Sequence, residues 1–281
     1  GQEPEGLQSL DEAFRQRIDH ELIQASLADQ LLVFARERRI RRGVGNRVAH
    51  AAGYGSVRRF NDTFRKTYGR TPRELRRRSD ETTRTGGALT VHLDYRQPFD
   101  WPSLLEFFAG RATPGVEQVF GGSYYRTIRV NGQPGVIECS QSKGRVHLTM
   151  HGVGTEDVFQ AVRSAREMLD LDAPIDDIHD VLRADQHLAG LLRRRPGVRV
   201  PGAWDGFELT VRAILGQQVS VRAATTLAGR IAARYGEPVA LPASLSDRRH
   251  ITLGRLFPAP EKLARARFNR IGLVPSRAAA I

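Results

Sequence analysis

Gly216, Gln217 and Gln218 form the run best suited to contact with a partner, because they stand between two helical patterns. Glycine allows the backbone to approach a partner closely, and each glutamine amide both donates and accepts hydrogen bonds. Such a tip could enter a groove and contact polar edges there. The alternative is a simple corner between helices, in which the glycine ends the first one. The residues alone leave both interpretations open.

The positive charge of the chain is concentrated in one window, residues 36–78. The 281-residue sequence has a net charge of +12, and this window holds fifteen Lys or Arg against three acidic residues. A solvated surface normally mixes both signs. A block of one sign predicts a polyanionic partner, and nucleic acid is the commonest one.

Two short helices joined by a glycine turn are predicted in residues 45–76. The turn lies at residues 53–55, and Ser56 is suited to cap a second helix that runs to about Tyr68. This arrangement is typical of a helix-turn-helix whose second helix lies in the major groove, where Arg can contact guanine and Asn adenine. The alternative is a helical hairpin with a solvated basic face. The DNA-binding candidates are Ser56, Arg58, Arg59, Asn61, Arg65 and Lys66.

The same stretch resembles the second helix-turn-helix of AraC-type transcription regulators. The resemblance rests on Gly53-Tyr54, Ser56, Phe60, Phe64-Arg65-Lys66, Gly69, Thr71-Pro72 and Leu75-Arg76. It implies that Arg58, Arg59 and Asn61 lie on the recognition helix and that double-stranded DNA is the partner.

The elements around these residues predict a multidomain, mostly α chain with an α+β middle domain. Residues 1–78 are helical, 79–90 form a polar linker, and 91–170 hold an antiparallel sheet with helices. Residues 171–281 are nearly all helical, with segments near 174–183, 185–194, 204–215, 220–235 and 260–267. In the middle domain, strands are predicted at 124–130, 135–140 and 146–151, and Asn131-Gly132 is typical of a hairpin turn.

Composition excludes several classes of protein. One cysteine, Cys139, rules out a disulfide framework and a Cys-rich zinc module. The histidines are scattered without the spacing of metal ligands, so we expect neither a metal nor another cofactor. No apolar run is long enough for a membrane span, and no signal peptide is recognisable. A cytoplasmic, nucleoid-associated monomer that does not bind membranes is the expectation.

Residues 195–220 resemble the bacterial 3-methyladenine DNA glycosylase II family of the AlkA type. The matching positions are Arg195-Pro196-Gly197, Arg199, Pro201-Gly202, Asp205, Phe207-Glu208 and Val211 to Ser220. A second match, YRQPFDWPSLLEFFAGRATPGVE, begins at Tyr95, and the resemblance covers about residues 90–281. It implies that Gln217 and Gln218 wedge into the DNA minor groove at a flipped base. It also implies that Phe107 forms an aromatic wall of the base pocket, although Phe107 could simply be a core residue.

The family resemblance implies a DNA repair enzyme of the alkylation response, fused to a transcription regulator. Such an enzyme flips an alkylated base and hydrolyses its N-glycosidic bond. The family's catalytic Asp follows a Gly-rich hairpin, and we expect both to lie beyond Ile281, so the chain lacks a catalytic residue of its own. The alternatives are a DNA-binding regulator without enzymatic activity and a truncated product. Truncation predicts partly uncovered apolar faces at Leu227, Ile231 and Leu263.

Overall fold

In a computed structural model of the protein, the described residues are 56–68, 71, 74, 87–154, 157–248, 250–268 and 271–281. The chain divides into two compact units, residues 1–66 and 67–281. The first helix and turn of the predicted helix-turn-helix, and the linker up to residue 86, lie outside the described residues. The predicted boundary near residue 170 falls inside the second unit.

Helix α1 (Val57–Tyr68) is the predicted second helix of the helix-turn-helix. Its start is fixed by Ser56, whose Oγ accepts a hydrogen bond from the amide of Arg59 at 3.2 Å. This is the side-chain cap expected where the first amides of a helix lack carbonyl partners. The predicted boundaries of this helix are therefore confirmed.

The sheet has five antiparallel strands in the order β1-β5-β4-β3-β2. Three two-residue turns connect β2 to β3, β3 to β4 and β4 to β5, and both central residues of each turn have positive φ. Such turns suit the twist of neighbouring strands, and the turn predicted at Asn131-Gly132 is confirmed. The strands are β1 (Ala88–Leu93), β2 (Glu117–Phe120), β3 (Ser123–Val130), β4 (Gln133–Ser142) and β5 (Arg145–His151).

Helices precede and follow this sheet. Helix α2 (Trp101–Ala109) packs on β3, where the rings of Phe108 and Tyr124 lie 4.7 Å apart between centroids. Four of the later helices agree with the segments predicted at 174–183, 185–194, 204–215 and 220–235, whereas the segment predicted at 260–267 ends at Leu263. The short helices Ala243–Ser246 and Pro275–Ala280 were not predicted. The later helices are α3 (Val158–Met168), α4 (Ile175–Leu182), α5 (Gln186–Arg194), α6 (Gly206–Gly216), α7 (Val221–Tyr235), α8 (Ala243–Ser246), α9 (Pro260–Leu263) and α10 (Pro275–Ala280).

Helices α6 and α7 share an apolar core with the segments that follow them. Leu227, Ile231 and Leu263 are 8%, 0% and 2% exposed, and they belong to one buried cluster with Val211 and Leu215. The expectation that truncation uncovers these faces is therefore wrong. Phe257 and Phe268, from later segments, pack against the cluster and cover it.

Candidate functional site

The turn between α6 and α7 presents two glutamine side chains to solvent. Helix α6 ends at Gly216, where the amide of Gln217 donates to the carbonyl of Ile214 at 3.4 Å, and Ser220 caps the start of α7 by accepting from the amide of Ala223 at 3.2 Å. Between these two points, the side chains of Gln217 and Gln218 are exposed. Both helices therefore end in a defined way, and the turn projects from their junction.

The backbone of this turn is held in an unusual conformation. Gln218 has a φ of 52°, in the left-handed region that non-glycine residues seldom occupy. The preceding residue, Gln217, is extended, and its carbonyl accepts a hydrogen bond from the guanidinium of Arg277 on α10. Strain of this kind is retained where the surrounding structure imposes it, often at functional sites.

A cavity of about 380 Å³ lies beside the turn. Gly216 and Val219, which flank the two glutamines, line it. Phe107 of α2 and Trp204, which precedes α6, provide aromatic surface to the same cavity. Phe107 is half-buried, so the structure places it at a cavity wall as well as against the core. The guanidinium carbon of Arg111 lies 3.9 Å from the centroid of the Phe107 ring.

Two glutamates and two arginines form an ion-pair network at the polar side of the cavity. Arg126 is 4% exposed, and its Nη2 lies 2.7 Å from Glu208 Oε2, while its Nη1 lies 3.5 Å from Glu117 Oε1. Arg212 Nη1 lies 2.8 Å from Glu117 Oε2 and 3.3 Å from Glu208 Oε1. The network ties α6 to β2 and β3, so the helix that carries the turn is fixed to the sheet.

Electrostatics keep this network charged. Burial alone would raise the pKa of Glu117, but the guanidinium groups of Arg126 and Arg212 outweigh it, and the pKa is lowered from its ordinary 4.5. Burial would likewise lower the pKa of Arg126, but Glu208 and the other acidic neighbours hold it above its usual range. Hydrogen bonds from Tyr124 Oη and the Thr113 amide, at 2.6 and 3.0 Å, satisfy the remaining Glu117 acceptors.

Helix α1, in the other unit, presents a basic face. The side chains of Arg58, Arg59 and Arg65 are exposed, and Asn61 is half-buried. Of the predicted candidates, the side chain of Lys66 lies outside the described residues. Arg58 and Arg65 share one face of the helix with Asn61, because they lie three residues before it and four residues after it, and Arg59 lies to the side of that face.

Two family models match the chain. One, described as the AlkA N-terminal domain, matches residues 90–205, and the other, described as bacterial regulatory helix-turn-helix proteins of the AraC family, matches residues 46–77. The chain is 37% identical over 221 residues to a probable bifunctional transcriptional activator/DNA repair enzyme AlkA of Mycobacterium tuberculosis (strain ATCC 25618 / H37Rv), covering 77% of this chain and 43% of that protein. The chain is homologous to AlkA.

Two further similarities agree with this homology. DNA-3-methyladenine glycosylase 2 of Escherichia coli (strain K12) is 36% identical over 180 residues, which cover 62% of this chain and 57% of that protein. The solved 3-methyladenine DNA-glycosylase from Archaeoglobus fulgidus has a TM-score of 0.58 at 21% identity, over 67% of this chain and 63% of that one. The structural similarity shows a shared fold. The chain spans about half the length of the curated relatives it matches.

In this AlkA homologue, the structure brings some predicted residues together and adds others that the sequence did not indicate. Phe107 lines the cavity, and the Gln217-Gln218 turn lies at its edge between the lining residues Gly216 and Val219. Trp204 and the Glu117–Arg126 pair were not predicted for it; the only local signal was a tryptophan placed between a Pro-Gly turn and a helix cap. Among the described residues, no group of His, Cys, Asp and Glu could hold a metal ion. Within the same residues, no helix is both long and apolar enough to cross a membrane.

Proposed function

We propose that this chain binds double-stranded DNA and opens it at an alkylated base, as part of a DNA repair glycosylase of the DNA-3-methyladenine glycosylase II type. The observation that carries the proposal is the exposed Gln217-Gln218 turn at the edge of a cavity. The cavity beside the turn can receive the base that the turn displaces from the duplex. We also propose that the chain acts as a monomer on nucleoid DNA.

The free-energy cost of extruding a base and the volume of the cavity are both consistent with this role. Extruding a base costs a few kcal/mol, and least where the base is damaged, because its pairing and stacking are already weak. A side chain that fills the vacated space compensates part of that cost. The cavity volume of about 380 Å³ lies within the range of small-molecule sites. The amides of Gln217 and Gln218 can also contact the acceptors on base edges in the minor groove.

Hydrolysis of the N-glycosidic bond needs a carboxylate that stabilises a cationic sugar, as in glycosidases. Glu117 and Glu208 line the cavity, but each is paired with two guanidinium groups. Asp205 also lines it, and one of its oxygens caps α6. We assign these three carboxylates to structure, and the proposal places no catalytic residue among the described ones.

The proposal is tested with duplex DNA that carries 2-aminopurine at the target position, because this base fluoresces when it unstacks. We expect fluorescence to rise when the chain binds, and Gln218→Ala to reduce that rise while leaving most of the affinity. Gln186→Ala is a matched control, because Gln186 is an exposed glutamine on α5 away from the cavity. Binding without any rise in fluorescence contradicts base opening. Release of 3-methyladenine from alkylated DNA is a separate assay of hydrolysis.

A second candidate function is transcription regulation through α1. It is favoured by the exposed arginines at 58, 59 and 65 and by the match to the AraC-family model. We expect Arg58→Ala and Arg59→Ala to relax sequence preference in a footprinting assay if these residues read bases. Uniform affinity that falls steeply with salt, in wild type and variants alike, would indicate phosphate contacts only.

A further inference from the structure

We infer that Trp204 is the second aromatic wall of the cavity and the residue of this chain that determines which ring the cavity accepts. The cavity would take a planar purine ring between Trp204 and Phe107, with hydrogen-bond acceptors on the ring edge. The inference rests on the proposed function, in that the ring is a base displaced from DNA. It assigns a role to a residue that neither sequence motif indicated.

The backbone around Trp204 is fixed on both sides. On one side, the amide of Gly202 donates to the carbonyl of Met168 at 3.0 Å, and a Cβ on Gly202 would lie 2.6 Å from the Glu167 carbonyl oxygen. Only glycine allows the segment to approach α3 this closely. On the other side, Asp205 caps α6. Trp204 is thus held between two anchored residues at the cavity wall.

The Trp204 side chain also has a rigid support. The guanidinium carbon of Arg126 lies 5.7 Å from the Trp204 ring, within the range of a cation–π contact. Arg126 is itself held by Glu117 and Glu208. A ring that is already positioned loses little conformational freedom when a ligand stacks on it, so more of the stacking energy appears as affinity.

The lining of the cavity indicates the class of ligand. Every nucleobase offers a π face, so an indole and a phenyl ring favour a base of two fused rings over one of a single ring. The polar lining includes Arg111 and Arg212, which carry donors and no acceptors. The two buried carboxylates, Glu117 and Glu208, are committed to arginines. Acceptor atoms on the ligand edge can face these arginines, and a donor can face Asp205, which also lines the cavity.

Tryptophan fluorescence provides a direct test, because the chain has only two tryptophans. Trp101 is 6% exposed and donates its indole N–H to the Gly122 carbonyl at 3.1 Å, and it does not line the cavity. We expect the free base 7-methylguanine to quench wild-type emission in a saturable way. Trp204→Phe retains Trp101 and should show no quenching, while equilibrium dialysis should still detect binding.

The loss of the Trp204 ring should weaken the binding of a purine base and reduce the preference of the cavity for a purine over a pyrimidine. Trp204→Val should raise the Kd for 7-methylguanine about tenfold or more, the size of a lost base–aromatic stack, and should reduce the preference for it over free cytosine. Val200→Ala is the matched control, because Val200 lies in the same segment, is 81% exposed and does not line the cavity. Thermal melting of each variant shows whether it is folded. If Trp204→Val is unfolded, the Trp204→Phe titration decides.

The outcomes separate this inference from the proposed function. If wild type opens the 2-aminopurine duplex but 7-methylguanine leaves its emission unchanged, or Trp204→Val binds as tightly as wild type, the assignment of Trp204 is wrong and base opening stands. If 7-methylguanine quenches Trp204 but wild type never opens the duplex, the cavity assignment stands and the proposed function is wrong.

Discussion

Replacement of Arg126 by Met removes the central cation of the buried network, while the methionine side chain fills most of the space that the arginine occupied. Glu117 and Glu208 then share Arg212 alone, and both glutamates are at least nine-tenths buried. Removing one partner of a buried ion pair costs about 3–5 kcal/mol, because the remaining charge is left without compensation. For a unit of this size, such a loss lowers the melting temperature by roughly 6–20 °C.

The assay is urea or thermal unfolding of Arg126→Met beside Arg129→Met. Arg129 lies on the same strand and pairs with Glu237, but the two side chains are 35% and 53% exposed. An exposed pair contributes under about 1 kcal/mol, so the control should unfold almost as wild type does. The difference between Arg126→Met and wild type should shrink as the pH falls into the acid range, because protonation of Glu117 removes a buried charge that the variant leaves without compensation. Equal losses in the two variants, or a loss below about 1 kcal/mol in Arg126→Met, would refute the reasoning.

Three further predictions concern stability. Folding lowers the pKa of Glu117 from 4.5, so the stabilisation that its charge provides is present above that pH and is lost as the pH falls through the folded pKa. Glu117→Gln should therefore give a flatter curve of unfolding free energy against pH in acid. An unchanged slope would contradict this. Gly229→Ala should lower the free energy of unfolding by about 1–3 kcal/mol, since its Cβ would lie 2.9 Å from the Pro114 ring. Its control is Gly190→Ala, where only the end of an arginine side chain is nearby. This control should raise the free energy of unfolding by up to about 1 kcal/mol in the same melting assay. Gln218→Gly should relieve the left-handed strain and raise the free energy of unfolding by about 1 kcal/mol while reducing duplex opening; a variant less stable than wild type would argue against strain at the turn.

Local signals explain which parts of the fold could be predicted. The starts of α1, α5, α6 and α7 were placed within two residues, because Ser56, Asp185, Asp205 and Ser220 are side-chain caps that act within three residues of themselves. Strand β2 was missed, because it has only four residues and is defined by its pairing with β3.

The site was harder to predict, because its residues meet over long sequence separations. Arg126 and Glu208 are 82 residues apart, and Arg212 and Glu117 are 95 apart. Hydrophobic periodicity assigns α6 a buried face, but it does not identify the charged partner on that face. The Gln217-Gln218 turn was accessible to prediction, because glycine and paired amides between two helices are a local pattern.

The central claim is that Gln218 enters the duplex at the damaged base, and disulfide cross-linking tests it most directly. Cys139 is the only cysteine, and it is fully buried, which raises the pKa of its thiol to about 12 and keeps it unreactive. Gln218→Cys therefore supplies one reactive thiol, which can be offered duplexes that carry a thiol tether at successive positions around a lesion. We predict cross-linking only at positions next to the lesion. Cross-linking that is uniform along the duplex, or absent although the protein binds, would contradict the account.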